Sequence, residues 1–229
     1  FAPVLDLDLG VSEVIGDRAF HRRPEAVTEL ALAWQRGMHE AGMASTGKHF
    51  PGHGGVAVDS HHALPEDGRS LADLQQRDLV PFARLVPNHM DAVMVAHLRY
   101  PQVDEQPAGF SRRWLEGILR RQLGFQGVIF SDDLSMGGAE WAGDHPARAQ
   151  AALAAGCDMV LVCNQPAQAI AVVEALNHYR NPAAQLRLAR LHGRRFPDRA
   201  GLLQSPRWKQ ATGQLQRLSG GDWLDMDLE

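Results

Sequence analysis

The stretch GVIFSDDLSMGG, residues 127–138, sets a short apolar run against two consecutive carboxylates and a glycine pair. An apolar run without polar alternation describes a strand buried on both faces, as parallel sheets require. Asp132 falls where the run stops, at the C-terminal end of the strand. Four other segments read the same way: APVLDL (2–7), MASTG (43–47), DAVMVAH (91–97) and DMVLVC (158–163). Helical patterns separate them. One runs over 23–42, with Pro24 near its start and Gly42 at its end, and one over 70–86, where Ser70 and Asp73 make a variant capping box. Others cover 111–124 and 166–179, with a second helix from about Pro182 to Arg195 and then a polar tail.

Alternating strands and helices predict parallel strands joined by crossover helices, in a doubly wound open sheet or a (β/α)8 barrel. The polar residues decide between them. Lys48-His49, His97, Ser131-Asp132 and Asn164 each stand just after the apolar run of a different strand. Functional groups at the C-terminal ends of several strands are the habit of the barrel. The expected fold is therefore α/β, a TIM-like (β/α)8 barrel of which this chain carries the last five strands. About three strands are expected upstream of Phe1. Residues 1–229 are read as a single catalytic barrel domain lacking its N-terminal part, with about 200–229 as a C-terminal tail.

At 229 residues, 45% hydrophobic and 22% charged, the chain can bury a sizeable core. A formal net charge of −4 gives no sequence-wide attraction for nucleic acid or anionic lipid. No apolar run reaches 18 residues and no basic-then-apolar leader is present, so a membrane role is not expected. The two cysteines, Cys157 and Cys163, share one apolar segment that would hold them apart as a strand, so both are read as reduced core residues, suiting the cytoplasm. Lys48 and Lys209 are the only lysines, which makes Lys48 conspicuous.

Lys48 opens the second informative stretch, KHFPGHGGVAVDSHH (48–62), which holds four of the eleven histidines: His49, His53, His61 and His62. Metal binding, a pH-sensitive loop and acid/base chemistry are the candidate readings. Pro51 and Gly52 between His49 and His53 prevent the pair from sharing a helical face, and no nearby Cys or Glu completes a zinc set, so no metal is expected. Asp59 and His61, two apart, would share a face in extended backbone. The carboxylate could then orient the imidazole and raise its basicity, as an acid/base dyad needs. A polar loop that merely contains histidines stands equally beside that reading. Asp132 and Asp133 admit three roles: nucleophile, metal ligand or N-cap, with capping the default for one of the two.

KHFPGHG, then DSH, then MVAH, then GVIFSDDLSM, in this order and spacing, closely resemble the glycoside hydrolase family 3 β-N-acetylglucosaminidases of bacterial peptidoglycan recycling. The resemblance runs from FAPVLDLD to about AAGCDMVLVCN. It implies a TIM-like barrel that removes terminal non-reducing GlcNAc from GlcNAc-1,6-anhydro-MurNAc, with or without stem peptide, in the cytoplasm. It makes Asp132 the nucleophile and His61, supported by Asp59, the general acid/base, and it makes Arg18, Lys48 and His49 ligands of the sugar hydroxyls. No cofactor, nucleic acid or membrane partner is implied, and a monomer is expected. The family's upstream Asp-Gln-Glu-Gly-Gly-Arg-like segment has no counterpart here, which agrees with the expected missing strands. A metal-dependent hydrolase using the loop histidines, a non-catalytic sugar-binding barrel and transfer to phosphate remain alternatives.

Overall fold

The computed structural model describes residues 1–193 and 198–219. The chain divides into two compact units, 1–193 and 194–229. The first is built on four parallel strands, β1 (Thr46–Phe50), β2 (Ala92–Val95), β3 (Val128–Asp133) and β4 (Met159–Leu161), side by side in chain order. Unbroken sequential order with helical crossovers is the order of a barrel wall, whereas a doubly wound sheet reverses direction partway across.

Segment 2–7, expected as a strand, lies parallel to β1 through a single bridge, Val4 to Lys48. Three backbone bonds hold it there: Thr46 N to Ala2 O at 2.6 Å, Lys48 N to Pro3 O at 3.2 Å and Leu5 N to Lys48 O at 2.6 Å. Two further boundaries differ from expectation. β1 is shifted three residues onward from 43–47, so Lys48 and His49 lie within the strand. β4 is shorter than 158–163 and is not fully buried; among the described residues β3 is the strand it pairs with.

The helices around this wall are α1 (Pro24–Glu40), α2 (Leu71–Gln76), α3 (Leu79–Leu85), a π-type helix at Arg113–Gln122, α4 (His145–Ala155), α5 (Pro166–Ala175) and α6 (Pro182–Leu188). The single helix expected over 70–86 is two. Its capping box is present: Ser70 Oγ accepts from Asp73 N at 3.2 Å and Ser70 N donates to the Asp73 carboxylate at 3.0 Å. Pro81 explains the break, since its ring excludes a helical carbonyl four residues earlier, at Arg77. The helix expected from Pro182 to Arg195 ends at Leu188 with a short 3-10 turn after it, and Arg194 and Arg195 lie outside the described residues. In the second unit, where a polar tail was expected, α7 (Arg199–Gln204) and α8 (Pro206–Ser219) form. Asp198 and Ser205 cap them through Gly201 N at 2.7 Å and Trp208 N at 3.1 Å.

Phe50, Phe82, Tyr100 and Trp114 are fully buried beside β1 and β2. Phe50 meets Phe82 and Trp114 edge-on, with centroids 5.3 and 5.9 Å apart. At the N-terminal ends of the strands, carboxylates serve the scaffold. Asp91 takes Ser45 N at 2.7 Å and the His39 ring at 2.7 Å, while buried Asp158 takes Ile129 N, Arg120 and Arg187. The opposite ends are left for chemistry.

The glycines after β1 are there for space. A Cβ on Gly54 would lie 1.9 Å from the backbone oxygen of Leu7, which cannot move without breaking the seam to segment 2–7. Gly54→Ala is therefore expected to destabilise the protein by about 3 kcal/mol, a fall in Tm of roughly 10 °C. A variant that melts with the parent would show that this seam yields.

Candidate active site

At the C-terminal ends of the strands lies an open cleft lined by Arg18, Lys48, His49, His53, Ser60, His61, Asp132 and Asp133, among others. The strands reach it through two irregularities. Between β1 and β2 the pairing steps from Gly47↔Val93 to Phe50↔Val95, and between β3 and β4 from Phe130↔Met159 to Asp133↔Leu161. Each step sets three residues against two, a bulge. In a regular strand consecutive side chains point to opposite faces. The bulges are why the neighbours Lys48 and His49, and likewise Asp132 and Asp133, all line one cleft.

The two carboxylates have different surroundings. Asp133 Oδ1 accepts from Ser135 N and Cys163 N, both at 2.9 Å, so it fastens the end of β3 to the segment after β4. The helix N-cap expected of one of the pair is not formed by Asp133, since the next helical turn, Gly137–Ala142, has Met136 at its N-cap. Asp132 accepts from the backbone N–H of Asp133 at 2.8 Å. Burial alone would raise the Asp132 carboxyl, but His49, His97, that N–H and Lys48 outweigh it and hold the group below the ordinary carboxylate range. Lys48 responds in kind. Burial and the neighbouring Arg18 lower its ammonium pKa, against the opposing pull of Asp132 and Asp6.

His49 is held by a residue that sequence reasoning passed over. Asp6, 1% exposed in segment 2–7, accepts from His49 N at 3.1 Å, from His49 Nδ1 at 2.7 Å and from His53 N at 2.7 Å. Burial raises the Asp6 carboxyl, but the two histidines bring it below its ordinary value. With Nδ1 committed, Nε2 is the His49 nitrogen left for a ligand. The signal was legible in VLDLD: an acid inside an apolar strand demands a partner, because an unpaired buried charge is too costly to keep. Arg18 ends a short 3-10 turn, its guanidinium donating to Val14 O at 3.1 Å.

The Asp59–His61 dyad is present, with His61 Nδ1 2.7 Å from Asp59 Oδ1. Its backbone differs from expectation. Residues 59–62 form a turn rather than an extended segment: His62 N and Ala63 N both donate to Asp59 O, and His61 N to Asp59 Oδ1 at 2.8 Å. The turn also brings His62 Nε2 to 3.7 Å from Asp59, so alternation does not keep His62 away, although its side chain is 84% exposed and outside the cleft lining. Small burial pushes the Asp59 carboxyl up, and the His61 N–H, the two rings and their charge pull it below its ordinary value.

Of the other strand-end residues, Ser131 is buried and accepts from Leu161 N at 3.1 Å across the bulge. His97 lies fully buried beneath the cleft, its Nε2 3.1 Å from Asp133 O, and Asn164 stays outside the lining. Both cysteines are free thiols, but only Cys157 is in the core. Cys163 is exposed at the cleft, because β4 ends before it.

A sequential parallel α/β wall, with a cleft at its C-terminal strand ends lined by carboxylates, a lysine and histidines, defines a TIM-barrel-like protein. The chain belongs to glycosyl hydrolase family 3, whose N terminal domain matches residues 1–191. It is 55% identical over 228 residues to a beta-hexosaminidase of Thioalkalivibrio sulfidiphilus, covering 100% of this chain and 65% of that protein. A beta-hexosaminidase of Pseudomonas aeruginosa is 56% identical over 216 residues, 94% of this chain and 64% of that one. The chain thus spans a little under two thirds of these relatives. NagZ from Neisseria gonorrhoeae in complex with N-trifluoroacetyl-D-glucosamine superposes with a TM-score of 0.86 at 47% identity, over 95% of this chain and 63% of that one. A family 3 β-N-acetylglucosaminidase from Paenibacillus gives 0.83 at 31% identity, over 94% of this chain and 45% of that one.

Proposed function

We propose that the chain is the sugar-cleaving barrel of a retaining exo-β-N-acetylglucosaminidase. It removes terminal non-reducing GlcNAc from peptidoglycan fragments such as GlcNAc-1,6-anhydro-MurNAc, with or without peptide, as a cytoplasmic monomer in cell-wall recycling. The observation that carries this is the single cleft that Asp132 shares with the Asp59-oriented ring of His61. The beta-hexosaminidase relatives, and the N-trifluoroacetyl-D-glucosamine in complex with NagZ from Neisseria gonorrhoeae, support the sugar. Among the described residues no helix is long and apolar enough to cross a membrane.

In the first step an Asp132 oxygen bonds to the anomeric carbon as the glycosidic bond breaks, and His61 imidazolium gives its proton to the departing oxygen. In the second, neutral His61 takes a proton from water, whose oxygen attacks the anomeric carbon and frees the Asp132 carboxylate and GlcNAc. Lys48, His49 and Arg18 hold sugar hydroxyls through charged or ring N–H donors.

The test is release of an aryl group from aryl β-GlcNAc by the full-length protein, with arms containing phosphate or EDTA. Phosphate is expected to leave the product free GlcNAc; a sugar 1-phosphate would mean transfer instead of hydrolysis. NagZ from Neisseria gonorrhoeae has also been solved in complex with zinc ion. Among the described residues of this chain, no group of three or more His, Cys, Asp or Glu side chains is placed to hold a metal ion. EDTA is therefore expected to leave turnover intact. Stoichiometric zinc whose removal abolishes turnover would install the metal-dependent reading.

A further inference from the structure

Residues 57–63 form a stretch in which five of seven residues are exposed. Asp59 is half-buried, Ala57, Val58, His61, His62 and Ala63 are exposed, and Ser60 alone is buried, at 2%. Its hydroxyl sits 2.8 Å from Nε2 of His53, itself 2% exposed. His53 is in turn fixed by its backbone N–H on Asp6 at 2.7 Å and by edge contact with the His49 ring. On the other side the loop backbone rests on the turn that follows β3. Gly138 N donates to Ser60 O and Gly137 N to His61 O, both at 2.9 Å. A Cβ on Gly137 would lie 2.5 Å from His62 O, and one on Gly138 3.1 Å from Ser60 O, so the glycines let the loop settle.

His53 Nδ1 is buried without a partner. Burial pushes the imidazole pKa down and favours the neutral ring. The tautomer that leaves no buried N–H orphaned carries its proton on Nε2, donating to Ser60 Oγ. A polar ring kept dry in this way, with one bond to the loop, is hard to explain as packing alone.

We propose that Ser60 and His53 are positioning residues for the acid/base group: Ser60 is the pin and His53 the socket that hold His61 at the cleft beside Asp132. The proposal rests on the reading of His61 as acid/base. A pinned His61 matters where a proton must reach the leaving oxygen or be taken from water; sugar binding through Lys48, His49 and Arg18 does not need it.

The experiment uses Ser60→Ala, His53→Gln and His61→Ala in the full-length protein, with the unactivated disaccharide and an activated aryl β-GlcNAc. Ser60→Ala is expected to lose roughly tenfold in kcat/KM on the disaccharide, as befits one lost bond, and less than threefold on the activated substrate. Glycosyl-enzyme should accumulate, and azide, a nucleophile that needs no base, should restore turnover. His53→Gln keeps an N–H donor and should retain most activity. Equal losses on both substrates, or a rise in KM at unchanged kcat, would make Ser60 and His53 sugar ligands and overturn the proposal. A His61→Ala loss that ignores leaving group overturns the acid/base reading and the pin with it. A leaving-group-dependent loss in His61→Ala with none in Ser60→Ala overturns the pin alone.

Discussion

Asp132→Asn is expected to reduce kcat/KM on the order of 10⁴-fold, about 5 kcal/mol of transition-state stabilisation, because an amide can neither attack the anomeric carbon nor balance its positive charge. The fold should survive, since the Asp132 carboxylate accepts from the neighbouring backbone N–H of Asp133, a bond that an amide oxygen can accept as well. A slow fluorinated GlcNAc substrate should label Asp132 in the parent protein, as peptide mapping by mass spectrometry would read. Asp133 is the competitor, and its Oδ1 is already occupied by Ser135 N and Cys163 N. Asp133→Asn should therefore mainly loosen the β3–β4 end. A label on Asp133, or an Asp132→Asn enzyme within tenfold of the parent, would refute the assignment.

His61→Ala should separate substrates by leaving group. The disaccharide, whose departing oxygen needs a proton, is expected to lose about 10³-fold, in the range for general acid catalysis. An activated aryl glycoside should lose about tenfold or less in glycosylation, while slow deglycosylation lets the intermediate build up. Asp59→Ala should give a milder form of the same pattern, since the 2.7 Å bond to His61 Nδ1 orients the ring but supplies no proton to substrate. His62→Ala should change little. The reason is its exposure and its place outside the cleft, not strand alternation, because the backbone there turns. The reading of DSHH fails if His62→Ala proves the more damaging variant.

Much of the fold was legible because buried parallel strands leave unmistakable apolar runs. GVIFSD and the Ser70 capping box formed where their chemistry said, and DAVMVAH formed a strand over its middle, Ala92–Val95. The boundaries that moved did so for tertiary reasons. Lys48 and His49 read as loop residues, yet pairing with both segment 2–7 and β2 draws them into β1. Cys163 read as core because an apolar run looks alike whether its flank is covered or open. At the site, Asp132, His61, Lys48, His49 and Arg18 were visible as residue types in place. The partners of Asp6 and the Ser60–His53 contact were not, since they join segments 47 residues apart or hide a serine among histidines. Propensity has no means of expressing either pairing.

The two bulges also shape the electric field of the cleft. β1 delivers the ammonium of Lys48 to one side and β3 the carboxylates of Asp132 and Asp133 to the other. The strand between them, β2, keeps regular register with β3 and offers the uncharged thioether of Met94. Two inter-strand spacings, about 9.5 Å, thus separate the backbones of β1 and β3, with the neutral, polarisable Met94 side chain on the floor between them. On the proposed function, a sugar ring placed over Met94 would lie in a standing field directed from β1 toward β3. That field draws positive charge toward the carboxylate side as a glycosidic bond ionises, and because the strands fix its sources, no reorientation is needed when the charge appears.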